Sequence, residues 1–161
     1  MRTEDLQKRA LVIGYGNTIR GDDGFGLYVA SLLSSRLNAD QVTILTPRQL
    51  TPDLAEQVSQ HELTILIDAQ QGDRPGRVHH HVIEVPEGAS PAYQHHITPE
   101  VLSGITTVLY GIQPQIHLFS VESASFEIGE GLSPAVSTAV EEVISAIIKL
   151  LKETTGSGMV G

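Results

Sequence analysis

Two adjacent aspartates stand in the most glycine-rich part of the chain. Residues 14–26 read Gly-Tyr-Gly-Asn-Thr-Ile-Arg-Gly-Asp-Asp-Gly-Phe-Gly, and the aspartates are Asp22 and Asp23. An aspartate at a helix start accepts hydrogen bonds from unpaired backbone amides and interacts favourably with the helix dipole. One aspartate is enough for that, and we assign capping to Asp22. Asp23 is then free to point into the crevice at the carboxyl end of a sheet, where α/β proteins build their sites.

A third carboxylate and a pair of histidines are candidates for the same edge. Asp68 follows the apolar run 63–67 and is predicted to end a buried strand. His95 and His96 lie on a long loop that can reach the crevice. Two carboxylates and one imidazole suit a borderline divalent ion such as nickel or zinc, with coordination positions left open. The residues alone leave open which histidine takes part and whether the three groups converge.

Three consecutive histidines, His79, His80 and His81, form a second cluster of imidazoles. They fall on a predicted strand, where successive side chains point to opposite faces. They therefore cannot all bind one ion, and we interpret them as part of an exposed strand.

Other kinds of site fit this sequence poorly. A dinucleotide fingerprint needs glycine where Ile19 stands, and two carboxylates would repel a pyrophosphate. No Gly-Lys-Ser/Thr follows the glycines, which argues against a phosphate-binding P-loop. The chain also lacks the Gly-x-Ser-x-Gly elbow of serine hydrolases and the His-Glu-x-x-His helix of zinc proteases. Carboxylate chemistry or metal binding is what remains.

The composition narrows the class of protein further. The chain has 161 residues, 40% of them apolar, and we expect a single domain over residues 1–161. Residues 1–9 are polar and unlike a secretory signal, so we expect a loose extension there, and a flexible glycine-rich tail over residues 155–161. No apolar run approaches the roughly 18 residues of a membrane span. We therefore expect no membrane insertion.

Charge and cysteine content bear on partners and location. A net charge of −9 without a cluster of basic residues argues against a nucleic-acid partner. The absence of cysteine excludes disulfides and thiolate chemistry, and it is compatible with the reducing cytoplasm, where we expect the protein.

Short apolar runs alternate with helical periodicity along the chain. This order predicts an α/β fold, a three-layer α/β/α sandwich whose central sheet has about five strands and is mostly parallel but mixed. The strands on either side of the turn 72–76 are candidates for an antiparallel pair. Thr51-Pro52, Thr98-Pro99 and Ser133-Pro134 each read as a cap followed by proline at the first helical position. Predicted strands span residues 10–13, 42–45, 63–67, 77–85 and 116–121, and predicted helices span 24–37, 51–60, 98–110 and 133–151.

These segments resemble, in order, the sequence signatures of hydrogenase maturation proteases. The similar segments span about residues 11–151 and are Gly14-Tyr15-Gly16-Asn17, Gly21-Asp22-Asp23-Gly24-Phe25-Gly26, Ile67-Asp68-Ala69, His95-His96-Ile97-Thr98-Pro99, Ser125-Phe126-Glu127 and Gly131-Leu132-Ser133-Pro134. The resemblance implies a sheet sandwiched by helices. It also implies an endopeptidase that removes the C-terminal extension of a nickel-loaded [NiFe]-hydrogenase large-subunit precursor.

The resemblance also implies a metal-contacting triad of Asp23, Asp68 and His95. His95 is preferred because relatives have His, any residue, an apolar residue and a small capping residue, although His96 stays open. Asp23 and Asp68 are then the catalytic candidates. Many relatives have glutamate at the position of Asp23, and the Gly-Asp-Asp-Gly form resembles the branch that serves bidirectional hydrogenases.

The remaining implications concern cofactor, partner and supporting residues. Nickel is expected to be carried by the substrate, with no organic cofactor, and the protein is expected to act as a monomer. The loop residues Gly16, Asn17, Gly21, Asp22 and Gly24 would support the site and the substrate. The rival interpretation is a non-catalytic nickel-binding maturation chaperone that uses the same triad and does not cut.

Overall fold

The computed structural model describes residues 9–85 and 97–155. His95, His96, the predicted loop over residues 86–94 and nearly all of both predicted terminal extensions lie outside these ranges. The strands are β1 (Ala10–Gly14), β2 (Val42–Leu45), β3 (Leu63–Gln71), β4 (Val78–Val82) and β5 (Ile116–Ser123), and the helices are α1 (Phe25–Arg36), α2 (Leu54–Ser59), α3 (Pro99–Tyr110) and α4 (Pro134–Thr155). A short 3-10 helix, Gly21–Gly24, leads into α1.

The five strands form one sheet in the order β2-β1-β3-β5-β4. The first three neighbouring pairs are parallel, and β4 runs antiparallel to β5. The predicted sheet of about five strands, mostly parallel and mixed, is confirmed.

Alternate residues of the central strands contact different helices, which creates three layers. Val12, Ile65 and Phe119 pack with α1 and α4 on one face of the sheet. Leu11 and Leu66 pack with α2 and α3 on the other face. The predicted α/β/α sandwich is therefore confirmed. Asp68 is on the face covered by α2 and α3, since it follows Leu66 by two positions in β3.

The predicted antiparallel pair around residues 72–76 is wrong, because β5 lies between β3 and β4. The connection crosses the end of β5, where the amides of Gly72 and Gly76 donate to the carbonyls of Ser123 and Glu122 at 3.0 and 2.8 Å. The physical reason is burial. The apolar strands β3 and β5 are covered on both faces, whereas the histidine-rich β4 suits an edge.

Several predicted boundaries also differ from the structure. Strand β3 continues through Asp68 to Gln71, and β5 includes Glu122 and Ser123, so these residues are in strands where loops were expected. Ladder hydrogen bonds between β3 and β5 extend both strands beyond their apolar segments. Strand β4 ends at Val82, three residues before the predicted end.

The predicted helix caps have mixed outcomes. Thr51 and Pro52 precede α2 in a turn, and the N-cap is Asp53, so that prediction is wrong. Thr98 does cap α3, since its Oγ1 accepts from the amide of Val101 at 3.1 Å. The Ser133 hydroxyl accepts from the amide of Val136 at 3.4 Å at the start of α4. No helix within residues 9–85 or 97–155 is both long and apolar enough to cross a membrane.

Candidate functional site

The glycine-rich loop after β1 is folded tightly against the start of α1. The amide of Tyr15 donates to the carbonyl of Ile67 at 3.2 Å, which ties the loop to β3. A Cβ on Gly26 would collide with that same carbonyl oxygen, and one on Gly16 would collide with the carbonyl oxygen of Asp23. Gly16 also has a φ of +144°, which side chains rarely adopt. The glycines thus let the loop and the helix start share one narrow space.

This loop fixes Asp23 directly. The Asn17 amide donates to Oδ2 of Asp23 at 2.9 Å, and the Asn17 side-chain oxygen accepts from the amide of Ile19 at 3.1 Å. Asn17 therefore holds the loop through its side chain and the aspartate through its backbone. Asp23 is half-buried at the carboxyl end of the sheet.

The surroundings of Asp68 shift the pKa of its carboxyl group strongly. Burial and, to a smaller extent, the nearby charge of Asp23 raise its pKa from 3.8 to about 6, although hydrogen bonds from Ala69 and Tyr15 act in the opposite direction. The Ala69 amide donates to Oδ1 at 2.7 Å. The structure therefore places Asp23 close enough for its charge to act on Asp68, a convergence that the residues alone had left open. The predicted histidine lies outside the described residues.

Tyr15 is a member of this site that the sequence reasoning missed. Burial raises the pKa of its phenol well above the ordinary value, and the neighbouring carboxylates of Asp68 and Glu100 raise it further. Tyr15 packs with the cluster that contains Leu11 and Ile13. The alternation Leu11, Ile13, Tyr15 was a signal that could have found it, because it places Tyr15 on the face of Asp68.

Asp22 does not cap α1, contrary to the prediction. The N-cap of α1 is Gly24, and Asp22 lies inside the preceding 3-10 helix. Its Oδ1 accepts from the amide of Ser133 at 2.7 Å, and its Oδ2 accepts from the hydroxyls of Ser133 and Ser123 at 2.9 and 2.6 Å. The inserted 3-10 turn directs this buried carboxylate away from α1. Asp22 therefore joins the glycine-rich loop to the end of β5 and the start of α4.

A second loop is bonded to the first through backbone groups. The Gly21 amide donates to the carbonyl of Gly129 at 2.7 Å, and the Gly129 amide donates to that of Ile19 at 2.8 Å. Phe126 packs against the core on the α1 and α4 face, so it is a packing residue of that loop. Gly21 has a φ of +57°, and Gly24 lies against Thr18. Gly21 and Gly24, two of the predicted supporting residues, thus contact other parts of the two loops.

Two further polar residues follow Asp68 across the sheet on the same face. Ser120 of β5 is in register with Asp68, and His79 of β4 is in register with Ser120. His79 Nε2 lies 2.7 Å from Oε2 of Glu122. Ser120 was missed because it stands within an apolar run.

The predicted alternation of the histidines is confirmed. His79 and His81 stack on one face with centroids 6.0 Å apart, whereas His80 stacks on Phe119 on the other. Among the described residues, no group of three or more His, Cys, Asp or Glu side chains is arranged to hold a metal ion.

A cavity of about 590 Å³ borders the glycine-rich loop on the outer side of α1. Its lining includes Thr18, Tyr28, Ile44 and Leu132, and neither Asp23 nor Asp68 contributes to it. Both carboxylates therefore lie outside this cavity, and Asp68 is on the opposite face of the sheet from α1.

The arrangement permits two kinds of chemistry. Two adjacent carboxylates are suitable oxygen ligands for a divalent ion that other groups also ligate. A carboxylate with a pKa near 6 is also suited to accept and return a proton near neutral pH. The donor set present is compatible with the metal that the sequence resemblance implies.

No family model and no curated protein matches the chain, but solved structures match most of its length. The hydrogenase-maturating endopeptidase HybD from Escherichia coli is 26% identical, with a TM-score of 0.70 over 91% of this chain and 94% of that one. An endopeptidase from Escherichia coli solved in solution is 25% identical, with a TM-score of 0.69 over 94% and 96% of the two chains. The maturation protease HycI from Thermococcus kodakarensis shares the fold at 22% identity, with a TM-score of 0.71 over 90% and 93%. The structural neighbours of this chain are thus hydrogenase maturation endopeptidases, which confirms the resemblance found in its sequence.

Proposed function

We propose that this chain is an endopeptidase that removes the C-terminal extension of a nickel-loaded [NiFe]-hydrogenase large-subunit precursor. The observation that carries the proposal is the pair Asp23 and Asp68, which approach each other at the carboxyl end of the sheet. The likeness in fold to HybD, named a hydrogenase-maturating endopeptidase, supports the substrate class.

Peptide hydrolysis requires an activated water and a place for the released proton. In our proposal Asp68 accepts a proton from the water that attacks the scissile carbonyl carbon. The C–N bond then breaks, and the proton passes to the leaving amine, which leaves one carboxylate and one amine terminus. A carboxylate whose pKa lies near 6 is well matched to both transfers. Tyr15 keeps Asp68 oriented through its hydroxyl.

Nickel belongs to the substrate in this proposal. A bound divalent ion can polarise a carbonyl and lower the pKa of water. Asp23, Asp68 and His95 would contact the nickel of a loaded precursor, so that only loaded precursors are cut. Two carboxylates at loop and strand positions make a weak site until the substrate completes it. Stoichiometric nickel in purified, substrate-free protein would contradict this part of the proposal.

Three finer expectations accompany the proposal. The Gly21-Asp22-Asp23-Gly24 form resembles the branch that serves bidirectional hydrogenases, and we propose that the chain belongs to that branch. We also propose that it acts as a monomer in the cytoplasm. The branch is tested by offering precursors of bidirectional and of other hydrogenases in separate reactions. Cleavage of only the other precursors would reject the assignment.

The main test is a cleavage assay on the cognate precursor with and without nickel. Wild type is expected to shorten only the loaded precursor, and Asp23→Asn and Asp68→Asn are expected to abolish cleavage. Asp73→Asn is the matched control, because Asp73 is exposed in the turn 72–76. Binding of the loaded precursor by wild type without any cut would instead identify a chaperone.

A further inference from the structure

The buried hydroxyl of Ser120 has no hydrogen-bond partner among the described residues. The residue is fully buried in β5, with 0% of its surface exposed. Its Oγ is the sole buried side-chain polar atom without a hydrogen-bond partner in the ranges that the structure describes. Native proteins pair nearly all such groups, because burying a hydroxyl without a partner destabilises the fold. An unpaired one beside a candidate active site requires an explanation.

The position of Ser120 restricts its possible partners. It lies between Asp68 of β3 and His79 of β4, in register with both and on the same face of the sheet. Neighbouring strands are about 4.8 Å apart, so side chains that face each other across a pair can form hydrogen bonds. A serine hydroxyl moves between staggered positions by rotation about one bond. Both neighbours are therefore within its reach.

Asp68 is the better of the two partners. Nε2 of His79 is already engaged by Glu122 at 2.7 Å. An ionised carboxylate offers about four acceptor positions. Only two donors to Asp68, the Ala69 amide and the Tyr15 hydroxyl, are seen among the described residues. Among the described residues, Asp68 therefore has acceptor capacity that no donor uses.

We propose that Ser120 is a positioning residue whose hydroxyl rotates to donate to the Asp68 carboxylate only as the bound precursor is cleaved. This inference rests on the proposed function. The bond holds the carboxylate toward the scissile peptide and is absent from the resting enzyme. Ser120 thus acts through Asp68 and touches no reacting atom.

The proposal predicts opposite effects on stability and on turnover. Ser120→Ala removes an unpaired hydroxyl, so the urea midpoint of the resting enzyme should stay the same or rise. The same variant loses a hydrogen bond to a charged group during turnover, which corresponds to a kcat roughly 10-fold lower. KM for the nickel-loaded precursor should stay unchanged, because the bond does not contribute to binding of the precursor.

The experiment compares wild type, Ser120→Ala, Ser120→Thr and Thr106→Val by urea unfolding and by kcat and KM on the nickel-loaded precursor. Ser120→Thr keeps the hydroxyl and should recover most of the lost kcat. Thr106→Val is the matched control, because that buried hydroxyl already donates to the carbonyl of Leu102 at 2.8 Å. It should lower the urea midpoint and leave kcat unchanged.

The outcomes separate this inference from the proposed function. A wild-type kcat in Ser120→Ala would overturn the role of Ser120 and leave the endopeptidase intact. An equal loss of kcat in a folded Ser120→Thr would show that space matters and the hydroxyl does not, which also overturns it. A wild type that never cuts the loaded precursor rejects the proposed function, and the role of Ser120 falls with it.

Discussion

Replacing Asp68 by asparagine should stabilise the protein at neutral pH. Burial raises the pKa of Asp68 from an ordinary value of 3.8 to about 6, so the folded protein disfavours the charged carboxylate. At about 1.4 kcal/mol per pH unit, this difference corresponds to about 3 kcal/mol. Asparagine keeps an oxygen for the Ala69 amide and carries no charge. The gain for Asp68→Asn is therefore up to about 3 kcal/mol, an upper limit because the side chain is only half-buried.

The sign of this effect depends on pH in a defined way. Between pH 3.8 and about 6 the folded state binds more protons at Asp68 than the unfolded state does. The contribution of Asp68 to stability therefore falls as pH rises through this window and is constant above it. Asp68→Asn should match wild type near pH 4 and exceed it by its full margin at pH 7.

Urea unfolding of both proteins from pH 4 to pH 8 measures this difference. With a typical urea dependence of about 1–3 kcal/mol per molar, the midpoint at pH 7 should rise by at most roughly 1–3 M. Carboxylates that do not interact with residue 68 contribute equally in both proteins and cancel in the comparison. Asp73→Asn, at an exposed turn, should show no such difference. A lower midpoint for Asp68→Asn at pH 7, or a margin that is the same at every pH, would refute the reasoning.

Three further predictions concern residues around the site. Asp22→Ala should lower the free energy of unfolding by about 2–4 kcal/mol in urea titrations, because it removes a buried carboxylate that accepts from the Ser133 amide and from the hydroxyls of Ser123 and Ser133. An effect below about 1 kcal/mol would mean that water replaces the carboxylate. Gly26→Ala should yield little folded protein, as measured by near-ultraviolet circular dichroism, because the new Cβ would collide with the Ile67 carbonyl oxygen. Gly111→Ala is the control: this glycine is exposed, so the variant should fold and lose only the modest stability that its positive φ costs. His79→Phe should raise the pKa of Glu122, measured by carbon NMR, because in wild type the hydrogen bond from His79 holds that pKa below its usual value. An unchanged Glu122 titration in the variant would show that this hydrogen bond is not formed in solution.

The sequence predicted most of the fold because each central strand is a continuous apolar run. It could not predict that β5 lies between β3 and β4 in the sheet, because strands that are consecutive in the chain need not be neighbours in the sheet. The end of β3 was missed because Asp68 interrupts the apolar run and the last residues, Gln70 and Gln71, are polar. The ladder with β5 keeps these residues in the strand.

The candidate site was predicted in part. Asp23 and Asp68 were found because one follows a glycine-rich turn and the other ends an apolar run. Asp22 was misassigned because its partners lie 101 and 111 residues away, beyond any local pattern. Tyr15 was missed because its role depends on burial beside a carboxylate from another strand.

The contacts of Asp22 also affect how the site forms during synthesis. The glycine-rich loop is made early, yet its aspartate is bonded to residues 123 and 133, near the end of the chain. Contacts of such large sequence separation form slowly, because a long segment must be closed before they contribute. A ribosome-bound chain that stops before residue 133 lacks the amide and hydroxyl that fix this loop. The glycine-rich loop therefore acquires its full set of contacts only after residue 133 has been made and has packed beside it.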